Sequence, residues 1–376
     1  MSDSLHVGVD ALNLLHDRRG IWRYATALLQ RFLRMGKDRV SITLLVPHMW
    51  PGLARRPLAQ LLGSDDFMLR RRQDAAGHRI HLVWYPWNGM TWVSPFTNVA
   101  TVHDVWPFAS PAEDVRKRRS EQMPFRTTAA NAKLIITDSQ FSKTEIIKHL
   151  SVLPQHVHVI ALGVDPVAAA LDRPLLLDGA SRYVLFVGES EPRKDLATLQ
   201  EAMKKLPDAL RMTTGLVTAG VPRTKNATCG RVDSQRHEGK QTTVLHFEPL
   251  DSMPRLVTGA VSDAVLHQLY AGAAAFVFPS RYEGFGLPVL EAMAHGAPVL
   301  ASNAASIPEV AGEAALYFPA GNSNALVLEL TQILSDRLLV ARLSAAGRAR
   351  AALFNWDRTA EETLGVFESV RLRERG

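Results

Sequence analysis

The residues best able to do chemistry lie in one stretch, Phe278 to Ser302, reading FPSRYEGFGLPVLEAMAHGAPVLAS. It begins on an apolar strand and ends on another, Pro298-Val-Leu-Ala301, with a loop (Ser280 to Gly286) and a short helix between them. Pro288 suits the helix's first turn, where its missing N–H would have no partner anyway. Gly296 suits the stop, and Pro298 follows it. Gly284 and Gly286 let the backbone come close to a ligand. The N–H groups of Phe285, Gly286 and Leu287 would point outward at the positive end of the helix, an anion site suited to a diphosphate. Glu283 sits in the loop and Glu291 one turn into the helix. Two carboxylates beside a phosphate site must bind something else, and sugar hydroxyls fit, because an ionised carboxylate accepts hydrogen bonds from two vicinal hydroxyls. An acid in a first helical turn also complements the dipole, but that reading leaves Arg-Tyr-Glu-Gly-Phe-Gly unexplained.

The elements that must hold these groups read as alternating strands and helices. Leu5-His-Val-Gly-Val9 reads as a buried strand. Trp22, Ala25, Leu28, Leu29 and Phe32 recur at helical spacing up to Gly36, and Val40 to Val46 is the next strand. Such βαβ units build parallel sheets. Asn98 to Val102 and Lys133 to Thr137 are strand-like and end in polar residues, where open α/β sheets bind ligands. Asp165 to Ala180, with Pro166 and Pro174, reads as a linker. A second strand series starts at Tyr183 to Val187, with Arg255 to Gly259 and Ala274 to Phe278 as later members. Gly220 to Thr243 is polar and basic with no clear period, and is expected to be a long mobile loop. Asp357 to Arg373 reads as an amphipathic helix.

Length and composition fit this organisation. The chain has 376 residues, 47% apolar and 21% charged, enough for two α/β domains with real cores. The formal charge of +6, from 43 basic and 37 acidic residues, is too modest and scattered for a nucleic-acid protein. The single cysteine, Cys229, excludes an intrachain disulfide and zinc-ligand spacings, and indicates a reducing compartment. The first residues lack a basic segment followed by an apolar one, so no signal peptide is expected, and no apolar run has the roughly 18–20 residues needed to span a bilayer.

With these residues in view, the chain resembles retaining glycosyltransferase family 4, which has the GT-B fold. Glu283-x7-Glu291 within PSRYEGFGLPVLEAMAHGAPVL is similar to that family's donor-site signature. The resemblance implies that Glu283 contacts the transferred hexose and Glu291 the ribose of the nucleotide. Val187 to Ala202, VGESEPRKDLATLQEA, resembles the family's phosphate-contact segment, so Arg193 and Lys194 would bind the donor diphosphate, Lys as a point charge and Arg as a fork. Glu189 stands where some members carry the arginine. Asp17-Arg-Arg-Gly-Ile-Trp-Arg-Tyr24 resembles the N-terminal glycine loop and implies that Gly20 faces the donor phosphate, with Trp22 in place of a second glycine. Thr101-Val-His-Asp-Val105 resembles the His-Asp element. There His103 would hydrogen-bond the sugar or steady the leaving group, and Asp104 would orient the loop or His103. Thr137-Asp-Ser-Gln-Phe-Ser-Lys143 and Ser306-Ile-Pro-Glu-Val310 complete the likeness, with Ser139 read as a helix cap.

The expectation is a GT-B protein: two Rossmann-like, doubly wound parallel-sheet domains facing across a cleft, residues 1–168 and 180–355, with the helix 357–376 packing back on the first. Glu283, Lys194, Arg193 and His103 are the expected catalytic residues. Glu291, Gly20, Phe285, Gly286 and Leu287 are the expected donor-binding residues. The reaction would move a hexose, best matched by mannose from GDP-mannose, to a hydroxyl of a glycan or polyprenyl-diphosphate-linked acceptor in surface-polysaccharide synthesis. Positive potential at the departing phosphate would supply the main catalytic term. No cofactor and no metal are expected, since the chain has no Asp-x-Asp. The location would be cytoplasmic, with Arg70-Arg-Arg72 and Arg116-Lys-Arg-Arg119 as candidate contacts to anionic lipid. Trp84, Trp87, Trp92 and Trp106 offer faces to an acceptor sugar or serve packing. A nicotinamide oxidoreductase would need GxGxxG after the first strand, which is missing. A nucleotide-sugar epimerase and a non-catalytic nucleotide-sugar-binding protein remain alternatives.

Overall fold

A computed structural model of the chain describes residues 4–375 apart from 16–19, 48–50, 78, 111–113, 166, 168–174, 223–229, 238–239 and 251–252. The chain divides into two compact units, residues 1–163 with 354–376, and residues 164–353. Unit 1 ends at Gly163 rather than 168, and unit 2 starts at Val164 rather than 180, because the stretch read as a linker belongs to it.

Among the described residues, unit 1 holds a seven-stranded sheet. Its strands are β1 Leu5–Asp10, β2 Val40–Val46, β3 Met68–Arg71, β4 Leu82–Tyr85, β5 Thr97–Thr101, β6 Ala132–Thr137 and β7 Val157–Val159. Their spatial order is β3-β2-β1-β4-β5-β6-β7, and every neighbour pair is parallel. The order reverses between β1 and β4, the position where such sheets open a crevice at their carboxyl ends. Strands covered on both faces read as apolar runs rather than alternations. Leu82–Tyr85 is buried throughout. The helix Gly20–Met35 buries Tyr24, Leu28, Leu29 and Phe32. The last helix, Trp356–Arg375, belongs to this unit. Its Phe367 packs 6.0 Å from Phe32 and 5.8 Å from Trp84 between ring centroids. Arg31 pairs with Asp357 at 2.7 Å and Arg39 with Glu361. These pairs are exposed and contribute little; the buried aromatic face holds the helix.

Where the chain leaves unit 1, Gly163 is pressed against its return. A Cβ built on Gly163 would lie 2.2 Å from the Trp356 amide nitrogen and 2.5 Å from the Asn355 carbonyl carbon, so only glycine fits. Thr359 Oγ1 ties the same place by donating to the Ala161 carbonyl at 2.8 Å.

Unit 2 has its own seven-stranded sheet, in the order β13-β14-β10-β9-β15-β16-β17. These strands are β9 Arg182–Val187, β10 Thr214–Ala219, β13 Glu248–Leu250, β14 Met253–Gly259, β15 Ala275–Phe278, β16 Val299–Ser302 and β17 Ala315–Phe318. All pairs are parallel except β13 with β14. A core of Phe186, Leu199, Met203, Leu216, Val277 and Leu330 fills one side.

A three-stranded sheet, β11-β12-β8, corrects two expectations. β8 (Leu175–Asp178) lies in the stretch read as linker, and β11 (Arg231–His237) and β12 (Lys240–His246) in the stretch read as a mobile loop. Register pairs His237 with Lys240, so two residues close the hairpin. The strands were hidden because charge masks their β-branched residues, Val232, Thr242, Thr243 and Val244. Within the sheet that charge is paired: His246 Nδ1 meets Asp178 at 2.8 Å and Nε2 meets Asp233 at 3.1 Å.

Candidate active site

In unit 2, the carboxyl ends of β9 and β15 carry the expected donor residues. β9 runs through Gly188 into the 3₁₀ turn Pro192–Lys194 and then the helix Leu196–Lys204. Asp195 joins turn to helix in the left-handed region (φ +48°), which aspartate tolerates better than most residues. Its Oδ2 accepts from Thr198 Oγ1 at 2.8 Å and from Arg281 Nε at 2.7 Å. The Arg281 amide donates to the Arg193 carbonyl at 2.7 Å. The turn after β9 and the loop after β15 are thereby stitched together.

That stitching brings Lys194 to Glu283. Lys194 Nζ donates to Glu283 Oε1 at 2.7 Å, with the two side chains only 13% and 8% exposed. The ammonium also lies 5.4 Å from the Phe278 ring centroid. Arg193 turns toward Glu191, its Nε 2.6 Å from Oε2. The loop bearing Glu283 is fixed from beneath, because the buried Ser306 Oγ reaches the carbonyls of both Glu283 and Phe285 at 2.9 Å. Gly286 then turns the chain at φ +104° into the helix Leu287–Ala294, with Pro288 in the first turn. In this first turn Pro288 has no N–H and the Val289 amide donates to the Gly286 carbonyl at 2.9 Å, while the loop just before it carries Glu283 with its partner Lys194. Phe285 and Leu287 are themselves buried, at 5% and 9% exposure. Glu291 stands on this helix half-buried, its Oε2 accepting from Tyr270 Oη at 2.9 Å.

His103 and Gly20 belong to unit 1. Gly20 opens the helix Gly20–Met35 in an exposed position, where a Cβ would meet no atom within 4 Å, so packing does not demand glycine. The loop before it, His16 to Arg19, lies outside the described residues. Trp22 anchors that end by donating its indole N–H to the Leu14 carbonyl at 2.9 Å.

His103 follows β5 and is 7% exposed. Its Nδ1 lies 2.6 Å from Asp138 Oδ2, and its Nε2 lies 3.2 Å from the Pro86 carbonyl oxygen. Both partners are acceptors, so the imidazolium satisfies them together. Burial alone would push its pKa down; the Asp138 carboxylate outweighs burial and holds it above the usual imidazole value. The Asp104 carboxylate adds a smaller push in the same direction. It accepts from the Trp106 amide at 2.9 Å, while Asn88 Oδ1 receives the amides of His103 (2.7 Å) and Asp104 (3.3 Å). Ser139 caps the helix Gln140–Leu150 through the Ser142 amide.

At the β1/β4 reversal, Asp10 is 1% exposed and takes Arg72 Nη2 at 2.7 Å. Burial raises the Asp10 pKa, against the pull of Arg72. Arg72 lies over the Trp92 ring at 4.9 Å. Arg71 pairs with Asp74, so Arg70-Arg-Arg72 is no open cationic patch. Trp84 is fully buried and offers no face to a sugar; Trp87, Trp92 and Trp106 stay half-exposed.

Sequence reasoning missed Tyr270, Asp195 and Arg281, and gave no task to Asp138. A tyrosine within the mixed stretch Leu266 to Ala273 gave no distinct signal for Tyr270. Asp138 sat in a quoted motif, but its partner is 35 residues away. Among the described residues no three His, Cys, Asp or Glu side chains group as a metal ion would need, and no helix is long and apolar enough to cross a membrane.

Comparison with known proteins matches residues 18–167 to the family described as "Glycosyltransferase Family 4" and residues 169–350 to "Glycosyl transferases group 1". The chain is 32% identical over 282 residues to O-antigen chain mannosyltransferase B of Escherichia coli, covering 72% of this chain and 70% of that protein. It is 29% identical to MMP alpha-(1->4)-mannosyltransferase of Mycolicibacterium hassiacum, over 69% of this chain and 57% of that protein. Among solved structures it resembles sucrose-phosphate synthase from Thermosynechococcus elongatus, with a TM-score of 0.69, 18% identity, and 97% and 99% of the two chains covered. At that identity the likeness concerns the fold.

Proposed function

The chain belongs to glycosyltransferase family 4, a glycosyltransferase of GT-B fold, and from that premise we propose that it transfers mannose from GDP-mannose, with retention, to a hydroxyl of a glycan or polyprenyl-diphosphate-linked acceptor in surface-polysaccharide synthesis. The observation that carries this reading is the buried contact between Lys194 and Glu283 at the mouth of the Leu287–Ala294 helix. A cation and an anion held together at the start of a helix fit a substrate with a phosphate at one end and hydroxyls at the other. The donor's diphosphate meets Lys194, Arg193 and the amides of Gly286 and Leu287. Glu283 takes a hexose hydroxyl and Glu291 a ribose hydroxyl. As the anomeric C–O bond breaks, charge grows on the phosphate, where preorganised positive groups lower the barrier most. The departing phosphate takes the acceptor's proton on the face it leaves, so no separate base is required. The mannosyltransferase names of the relatives support the sugar.

Lys194 and the helix terminus supply the charge that a metal would otherwise bring, so we expect turnover to survive EDTA. His103 lies on the acceptor-side unit, its ring oriented by Asp138 and the Pro86 carbonyl. The protein would work in the cytoplasm at the membrane face. The fitting lipid contact is the start of the helix Val115–Asn131. There Arg116, Lys117 and Arg119 are exposed beside Val115 and Met123, at 59% and 58% exposure. Cations at a helix N-terminus oppose its dipole, and an anionic surface offsets that cost.

The test is incubation with labelled GDP-mannose, UDP-glucose and other nucleotide sugars, with and without membrane lipid extract, followed by NMR of the anomeric product. Acceptor-dependent GDP release with retained configuration is expected. An inverted product would overturn the mechanism; donor isomerised without acceptor would point to an epimerase, and binding without turnover to a binding protein.

A further inference from the structure

Glu291 is a long side chain at the edge of its site, and two neighbours hold it. Tyr270, on the helix Asp263–Gly272, is 1% exposed. Its ring packs edge-on against Phe276 (centroids 5.5 Å apart, 66° between planes) and lies against His295 (5.5 Å, 27°). A phenol so enclosed has one position for its oxygen, and that oxygen donates to Glu291 Oε2 at 2.9 Å. His295 Nδ1 lies 2.7 Å from the Glu291 backbone carbonyl. A carbonyl only accepts, so the proton is on Nδ1. Burial, and the neighbouring His267 with its ring centroid 4.8 Å away, lower the His295 pKa from the usual imidazole value.

We propose that Tyr270 is the positioning residue of the donor's nucleoside end: its hydroxyl fixes one oxygen of Glu291 so that the carboxylate is presented in a single orientation to the ribose hydroxyls, and this preorganisation gives the site its preference for ribonucleotides. The proposal rests on the reading that Glu291 takes the ribose. Without the phenol hydroxyl, the carboxylate must be ordered each time a nucleotide binds, and part of the binding free energy is lost to that ordering. The loss is confined to ligands that have ribose hydroxyls.

The experiment measures binding of GDP and 2′,3′-dideoxy-GDP to the full chain by calorimetry, for the wild type, Tyr270→Phe, Glu291→Ala and the double variant. Donor KM and kcat are measured for the wild type and Tyr270→Phe. The wild type should prefer GDP by about tenfold or more, the scale of one hydrogen bond to a charged group. Tyr270→Phe should lose most of that preference while binding the dideoxy ligand within twofold of wild type. Its donor KM should rise about tenfold, with kcat within twofold. In the Glu291→Ala background the same change should do nothing further. Equal weakening of both ligands by Tyr270→Phe would mark a merely structural tyrosine and overturn the proposal, as would undiminished preference for GDP. A wild type indifferent to the ribose hydroxyls would overturn the ribose reading of Glu291 itself, and the melting temperature of each variant separates these results from unfolding.

Discussion

Lys194 and Glu283 neutralise each other where little water reaches them. Removing one partner of such a pair leaves a buried charge and costs about 3 kcal/mol or more, whereas replacing both with apolar residues is close to neutral. We expect Lys194→Ala or Glu283→Ala to lower the melting temperature of the protein and to cut kcat by about 10² or more. The double variant Lys194→Met, Glu283→Leu should regain stability while staying inactive. Calorimetry and a turnover assay on the three proteins check this; recovery of activity with stability would reduce the pair to a structural one. His103 gives a second prediction at this scale. Its folded pKa stands above the usual 6.5 because Asp138 outweighs burial. The sign follows: the contribution to stability is fully present below the unfolded value and is lost as pH rises through the folded one. Thermal melts from pH 6 upward should show this loss, and His103→Gln should abolish it. Glu283 and Glu291 stood out in the sequence because loop glycines and a helix start lie beside them, and Lys194 only through the likeness of its segment to the family's; the fold brings Lys194 to Glu283. Tyr270 and Asp138 did not stand out, since each meets its partner across 21 and 35 residues, a distance that only the fold closes.

Among elements, strands covered on both faces declared themselves as apolar runs, and β2, β9 and β15 stand where the sequence puts them, whereas β4 (Leu82–Tyr85) was read only as part of an aromatic cluster. The hairpin of β11 and β12 did not declare itself, because its charges carry no period and find partners only in the folded sheet, His246 meeting Asp233 across the hairpin and Asp178 on a strand more than fifty residues earlier than β11. The helix Val115–Asn131 shows a different conflict. Asp114 caps it by accepting from the amides of Arg116 and Lys117 at 2.8 and 3.2 Å, and the side chains of those same residues oppose the dipole. Neutralising Arg116, Lys117 and Arg119 to glutamine should leave stability unchanged or slightly raised. Binding to vesicles containing anionic lipid, measured by co-sedimentation, should fall severalfold. Wild-type protein that ignores such vesicles at low salt would remove the membrane surface from the account.

For the molecule as a whole, the two units were visible as two strand series, but their limits were set by one close approach that no composition records. Gly163 lies against the Asn355–Trp356 peptide with no room for a methyl group. Gly163→Ala must push apart two backbone segments, neither of which can yield by turning a side chain. The expected cost is about 3 kcal/mol or more, read as a fall in melting temperature.

That meeting of the outgoing and returning chain also sets an order of events at the ribosome. Residues 164–353 are contiguous and can close their own core as soon as they emerge, although they are made second. Residues 1–163 must wait for residues 354–376, since Tyr24, Phe32 and Trp84 find Trp356 and Phe367 only once that segment has been made. A polypeptide halted at Leu353 should therefore bind a hydrophobic dye through an open aromatic trough, while 164–353 made alone should melt cooperatively. Residues 1–163 would thus mature after residues 164–353, which follow them in the chain.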